Sequence, residues 1–315
     1  MRIRRSSGTV FPSPSVLILL RITNYALRIN MSLIARNLSK TYKEGVNNQT
    51  VFTGVSIVLE RGENLLVVGT AGSGKSTLIN ILGCLETPTT GTYLIGETDP
   101  LNFGRSKIAR FRRDYLGFIF SEAYLLPQLT VLENALIPCL ATGLPLKADV
   151  AFAKQLLEQM KIDDCQNAHP ETLSRDQQQR AAAVRAMIKR PSLILADEPI
   201  SKLDARSAEP FIDDFLATQK SCGSMLIMVT DAPDFKEKFD RTARLEKTRW
   251  TISGRRKYGL DENDTVHNIR SDDAEPAALG LDEDEYVQNV DMSQPKPEPQ
   301  PEEGAELDAF RRRFQ

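Results

Sequence analysis

Nine consecutive residues, Gly69-Thr70-Ala71-Gly72-Ser73-Gly74-Lys75-Ser76-Thr77, place glycines, a lysine and hydroxyls at a spacing suited to hold a chain of phosphates. The glycines let the backbone approach an anion without Cβ clashes, so that successive N–H groups and the start of the next helix face it. Lys75 then reaches the β- and γ-phosphates, and the Ser76 hydroxyl ligates Mg²⁺. A second pair of chemical groups, Asp197-Glu198, follows the apolar run Ser192-Leu193-Ile194-Leu195-Ala196. Asp197 is the expected ligand in the Mg²⁺ shell, and Glu198 the group that orients or polarises the water attacking the γ-phosphate. Two acids closing a strand are an ordinary loop in most proteins; the phosphate loop upstream is what assigns these two a task.

Such groups work only if the fold aims them. The loop is preceded by Asn64-Leu65-Leu66-Val67-Val68, an apolar strand, and followed by Leu78, Ile79, Ile81 and Leu82 at helical spacing, which is the strand, loop and helix order that a phosphate cradle requires. The run before Asp197, bounded by Pro191, reads as a buried strand with its carboxylates at the end where open α/β sheets bind ligands. The reading is an α/β fold with both strands in a central, largely parallel sheet flanked by helices. Alternation over Ser32 to Leu38 gives a first strand, and Val55 to Leu59 with Tyr93 to Ile95 suggests an antiparallel β segment. Residues 131 to about 190 are helix-rich, with Leu156, Leu157 and Met160 before Ser174 and the Ala181 to Met187 run after it, so a helical subdomain is expected with Ser174 at a helix start.

The chain has 315 residues, 41% hydrophobic and 26% charged, enough for a sizeable core. Its net charge of −2 is unevenly spread: residues 1–30 carry five Arg and no acid, and residues 257–315 carry sixteen acids against six bases. The centre is left mildly positive, which gives no case for nucleic-acid binding. Cys84, Cys139, Cys165 and Cys222, with His169 and His267, show no metal-ligand or disulfide spacing and read as reduced thiols and isolated imidazoles. The apolar run Val16 to Leu20 is far shorter than a membrane span of ~20 residues. Met31 is the expected start of the native protein, which makes residues 1–30 an extension. Residues 257–315 are expected to be a disordered acidic, Pro-rich tail, ending in Leu307, Phe310 and Phe314 on one helical face beside Arg311 to Arg313.

Together with Tyr42 before the loop, Leu173-Ser174 leading Gln177-Gln178-Gln179-Arg180, and Ser201-Lys202-Leu203-Asp204 after the acids, these motifs resemble an ATP-binding-cassette ATPase over residues 31–256. Gly117-Phe118-Ile119-Phe120 and Leu125-Leu126-Pro127-Gln128-Leu129-Thr130-Val131-Leu132-Glu133-Asn134 are similar to the ATP-binding subunits of lipoprotein-releasing and macrolide-exporting transporters. The resemblance implies a P-loop NTPase fold of the cassette type, with Tyr42 stacked on adenine. It implies that two cassettes close head to tail, each signature segment capping the ATP on the other's loop. It further implies an integral membrane permease partner contacted after Phe120, and a place at the inner face of the cell membrane.

Three places depart from the family pattern. Ser121 stands where the family has a glutamine, Arg175 and Asp176 replace the two glycines of the signature, and Asp231 replaces a histidine that contacts the γ-phosphate. Asp176 beside a γ-phosphate is expected to repel it, and Asp231 puts an acceptor where a donor belongs. Losing one positioned transition-state contact commonly costs ~10²-fold in rate, so binding is expected to survive better than turnover. Two functional readings follow: the ATP-binding subunit of a transporter of the lipoprotein-release or export type, and a catalytically weak module that binds ATP for regulation or assembly. A soluble cassette acting on DNA or ribosomes fits less well, since only one phosphate loop occurs.

Overall fold

The computed structural model describes residues 31–44, 47–141, 143, 145–246 and 249–254. The expectations for residues 1–30 and for the tail with Leu307, Phe310 and Phe314 lie outside these. Among the described residues nine strands form two sheets. Strands β1 (Leu33–Glu44), β2 (Asn47–Leu59) and β4 (Thr90–Ile95) make an antiparallel sheet in the order β2-β1-β4. The larger sheet runs β5-β6-β7-β3-β8-β9, built from β3 (Asn64–Val68), β5 (Leu116–Ile119), β6 (Leu193–Asp197), β7 (Met225–Thr230), β8 (Arg241–Glu246) and β9 (Arg249–Ser253). Its strands are parallel except β9, which returns antiparallel beside β8.

The central strands are near-continuous apolar runs because a parallel sheet covered on both faces exposes neither to water. Leu65, Val67, Leu193, Leu195, Ile227 and Val229 join Leu33, Phe52, Ile79 and Tyr93 in one core shared with the antiparallel sheet. The alternate residues Leu66, Ile194, Leu226 and Met228 are equally buried. Tyr93 satisfies its buried hydroxyl by donating to the Leu82 carbonyl at 2.7 Å, which ties β4 to the end of helix α1 (Lys75–Leu82).

Helix α2 (Arg105–Tyr115) leads into β5. The expected helix-rich region contains α3 (Val131–Leu140), α4 (Lys147–Gln159) and α5 (Arg175–Met187), which pack on one another. Helix α6 (Ala205–Cys222) follows β6 and packs on α5. Helix α3 opens with a capping box, the Thr130 hydroxyl accepting from the Glu133 N–H while Glu133 accepts from the Thr130 N–H. Helix α5 opens the same way at Ser174 and Gln177.

The order β6-β7-β3 matters most for chemistry. Strand β7 lies between β3 and β6 although it follows both in sequence, so the loops leaving β3, β6 and β7 emerge side by side at one sheet edge. In register, Val68 pairs with Thr230 and Asp197 with Val229.

Candidate functional site

The loop expected to cradle phosphate leaves β3 at Gly69, whose N–H donates to the Thr230 carbonyl at 3.2 Å. A Cβ on Gly69 would lie 2.5 Å from the Leu245 carbonyl oxygen and from Ser73 Oγ, so only glycine fits between β3 and β8. Gly74, at φ +98°, is the residue before helix α1, and a Cβ there would lie 2.6 Å from Val51. No side chain caps α1, so its first N–H groups stay available to an anion among the residues of the loop. Thr70, Ala71 and Gly72 form the exposed outer turn, while Ser73 is buried and its hydroxyl has no hydrogen-bond partner among the described residues. An orphaned hydroxyl inside a ring of amides fits an oxyanion acceptor.

Lys75 is only 7% exposed, and its ammonium donates to the Gly69 carbonyl at 2.6 Å and the Thr70 carbonyl at 3.2 Å. It also lies 3.2 Å from Glu198 Oε1. The lysine is thus bent back over the loop it belongs to and meets Glu198 at the end of β6. Ser76 and Thr77 complete the first turn of α1.

Asp197 ends β6, and burial raises its pKa against the opposing pull of the Ser76 hydroxyl and the Lys75 charge. One carboxylate oxygen, Oδ1, is buried with no partner among the described residues. A desolvated carboxylate with an unfilled lone pair beside a serine hydroxyl is a donor set suited to a hard divalent cation, so Ser76 and Asp197 fit Mg²⁺. Glu198 follows with φ +49°, a left-handed conformation that costs a non-glycine residue about 1–2 kcal/mol. That turn swings its side chain across the edge: the backbone N–H donates to the Val229 carbonyl at 3.0 Å, and Oε2 accepts from the Asp231 N–H at 3.2 Å. Strain held by surrounding bonds is common where a side chain must be aimed.

Tyr42 stands on β1 and is 37% exposed. Its hydroxyl donates to Glu86 Oε2 at 2.9 Å, and the Lys40 ammonium sits 2.8 Å from Glu86 Oε1 and 4.8 Å above the ring centroid. Burial, with Glu86 next, raises the Tyr42 pKa, while Thr77 on α1 draws it the other way, which places the ring beside the cradle. Lys40 and Glu86 were not singled out from the sequence. Lys40 had a signal, since residues two apart on a strand share a face; Glu86 had none.

Ser121 lies past β5, where Gln179 Nε2 of α5 donates to the Phe120 carbonyl at 2.8 Å and fixes the exit of the strand. The segment beyond is held from inside. Asn134, fully buried, donates to the carbonyls of Leu126, Leu129 and Thr130 at 3.0 Å each and accepts from the Leu126 N–H at 2.7 Å. Arg185 donates to the carbonyls of Ala123 and Tyr124 at 2.6 Å. Tyr124 and Leu126 remain 68% and 42% exposed on this hydrogen-bonded loop.

At the signature the expectation for Asp176 needs correction. Its carboxylate is not a free charge: it turns back along α5 and pairs through Oδ2 with Arg180 Nε at 2.8 Å. Arg180, 6% exposed, pairs in turn with Asp214 of α6 at 2.7 Å and donates to the Met160 carbonyl at 2.8 Å, while Lys161 meets the other Asp214 oxygen at 2.7 Å. A cation four residues on was near enough to neutralise Asp176, a pairing that helical spacing allows. Arg175 is exposed and has no ion-pair partner among the described residues. The structure therefore brings together Gly69 to Thr77, Asp197, Glu198 and Asp231, with Tyr42 at their side. Among the described residues no hydrogen bond or ion pair joins the Ser174 to Gln177 turn to that cradle.

A family profile described as ABC transporter matches residues 52–201. An uncharacterised ABC transporter ATP-binding protein, YvrO, of Bacillus subtilis is 38% identical over 210 residues, 67% of this chain and 91% of that protein. The lipoprotein-releasing system ATP-binding protein LolD of Pseudoalteromonas translucida is 35% identical over 223 residues, 71% of this chain and 96% of that protein. Among solved structures, the dimeric post-hydrolysis state of an ATP-binding cassette bound to ADP and Pi aligns with a TM-score of 0.64 at 29% identity, covering 72% of this chain and all of that one. With the cradle, the paired carboxylates and the two-sheet fold all in place, the chain belongs to the ABC transporter family and carries its ATP-binding domain.

Proposed function

We propose that this chain is the ATP-binding subunit of a transporter of the lipoprotein-release or export type, that it binds MgATP at the Gly69 to Thr77 loop, and that it hydrolyses it. The observation that carries the reading is the convergence of Lys75, Asp197 and Glu198 at one sheet edge, with the buried Asp197 oxygen unpartnered. In this reading Lys75 leaves its loop carbonyls for the β- and γ-phosphates, the loop amides take the remaining phosphate oxygens, and Tyr42 supports adenine. Ser76 and Asp197 hold Mg²⁺, which neutralises phosphate charge when bound. Glu198 accepts a hydrogen bond from the attacking water and polarises it.

The cassette occupies residues 31–256 in this scheme, flanked by the extension and the acidic tail. Two cassettes close head to tail, and an integral membrane permease meets the exposed Tyr124 and Leu126, whose loop Asn134 and Arg185 stiffen. Among the described residues no helix is long and apolar enough to cross a membrane, and the proposed place is the cytoplasmic face, held by the permease. Pairing of Asp176 with Arg180 removes one of the charges that had argued against turnover.

The test measures ATP binding and turnover in parallel on the full chain with Mg²⁺. Lys75→Ala is expected to abolish binding, and Glu198→Gln to keep binding while lowering turnover by roughly 10²-fold or more. Nucleotide binding indifferent to Lys75→Ala overturns the assignment of the cradle; turnover that survives Glu198→Gln overturns the role of Glu198.

A further inference from the structure

The phosphate end of the site is one-sided in charge. Asp197, Glu198 and Asp231 crowd the edge, and among the described residues the ion pair across it is that of Lys75 with Glu198. Asp231 is exposed, its N–H is given to Glu198, and its carboxylate has no ion-pair partner among the described residues. MgATP carries net negative charge, so its arrival deepens the imbalance beside Asp231.

The turn at the start of α5 is one-sided in the opposite sense. Asp176 is consumed by Arg180 on its own helix, so that the face left outward carries Arg175, unpaired, together with the partial positive charge of the helix start. Neither excess is balanced within one copy, and each has the sign that the other lacks.

We propose that Arg175 of one copy pairs with Asp231 of a second copy of this chain at the phosphate end of the nucleotide site, so that the two departures compensate each other and make the assembly a homodimer. This rests on the head-to-tail closure proposed above. A partner cassette with glycine opposite Asp231 leaves that carboxylate facing the γ-phosphate uncompensated. A partner with histidine opposite Arg175 offers the guanidinium no carboxylate. The second copy is the one occupant that satisfies both ends, and it does so twice by symmetry. Arg175 is then a positioning and specificity residue: it neutralises Asp231 and leaves its remaining N–H groups directed at the nucleotide phosphate.

The experiment uses the full chain carrying Glu198→Gln, to hold ATP, and follows MgATP-dependent dimerisation by analytical ultracentrifugation. Arg175→Ala, Asp231→Ala and the double variant form a cycle, and Arg175→Asp with Asp231→Arg forms the charge swap. Close interfacial charge pairs couple strongly, so Arg175→Ala is expected to weaken the dimer by roughly tenfold or more, and by much less once Asp231 is already Ala. The charge swap is expected to restore much of what Arg175→Asp alone loses. Effects that combine to within about twofold of additivity overturn the pairing while leaving the ATP-dependent dimer intact. Failure of the parent to bind ATP overturns the functional reading, and the pairing falls with it. Both side chains are exposed, so thermal melting of each variant is expected to match the parent and verifies that the fold is retained.

Discussion

Asp176→Gly, which restores the residue type of the family signature, separates what charge alone suggests from what the structure shows. If Asp176 repelled phosphate, the change would improve nucleotide handling at no cost. In the structure Asp176 holds Arg180 Nε at 2.8 Å, with the two side chains 25% and 6% exposed. Losing that charge-assisted bond leaves a buried N–H without an acceptor, about 1–2 kcal/mol after allowing for Asp214, which still balances the guanidinium charge. Removing an acid from the first turn of α5 costs ~0.5 kcal/mol, and glycine's extra backbone entropy costs ~0.5 kcal/mol more. Asp176 Oδ1 is buried and unpartnered, so its removal returns a few tenths of a kcal/mol. The net loss is about 2 kcal/mol, which for a domain of this size lowers Tm by roughly 4–8 °C. Thermal unfolding of the nucleotide-free chain, followed by near-UV circular dichroism, reads this directly. A variant that melts at or above the wild-type temperature and binds ATP more tightly would refute the reasoning and return Asp176 to the phosphate.

Three further outcomes follow from the surroundings of Asp197 and Asn134. Asp197→Asn is expected to raise the Tm of the nucleotide-free chain while abolishing the extra stabilisation that Mg²⁺ adds to ATP, both read by scanning calorimetry. The sign comes from burial: a carboxyl whose folded pKa lies above its unfolded value costs stability once ionised, and that cost is relieved as pH falls through the raised folded pKa. Acidification through that window should therefore weaken Mg²⁺-dependent nucleotide binding in the wild type and leave Asp197→Asn unaffected. Asn134→Ala strips the loop of its buried hydrogen bonds and is expected to cost about 3 kcal/mol in urea unfolding. Limited proteolysis should then cut near Tyr124 and Leu126, and a loop that resists cleavage as before would show that Asn134 does not stiffen it.

Much of the cradle is legible from local chemistry. A glycine loop between an apolar strand and an apolar helix face has one common use, and the positive φ at Gly74 belongs to that local turn, whereas the crowding of Gly69 by Leu245 and of Gly74 by Val51 comes from strands that only the fold brings near. The apolar runs of β3, β6 and β7 identify a buried parallel sheet for the same reason, because strands covered on both faces show no alternation. Ser174 as a helix start follows from the capping box, whose two bonds span three residues.

The role of Asp176 was not legible in that way. A lone residue type shows its charge and not its direction, and whether that acid faced phosphate or Arg180 depended on how α5 lies against α6, where Asp214 draws Arg180 inward. The Tyr42, Lys40 and Glu86 cluster likewise joins β1 to the turn after α1, residues 44 apart that no spacing rule connects.

By itself, then, the sequence determined that this chain binds a triphosphate, because that task needs only short-range order: glycine conformations, a lysine and a helix start within nine residues. The tertiary structure decided which groups meet beside that loop. Insertion of β7 between β3 and β6 brings Lys75 to one edge with Glu198 and Asp231, both more than a hundred residues further along the chain, and a parallel sheet can do this because its strand order in space is independent of their order in the chain.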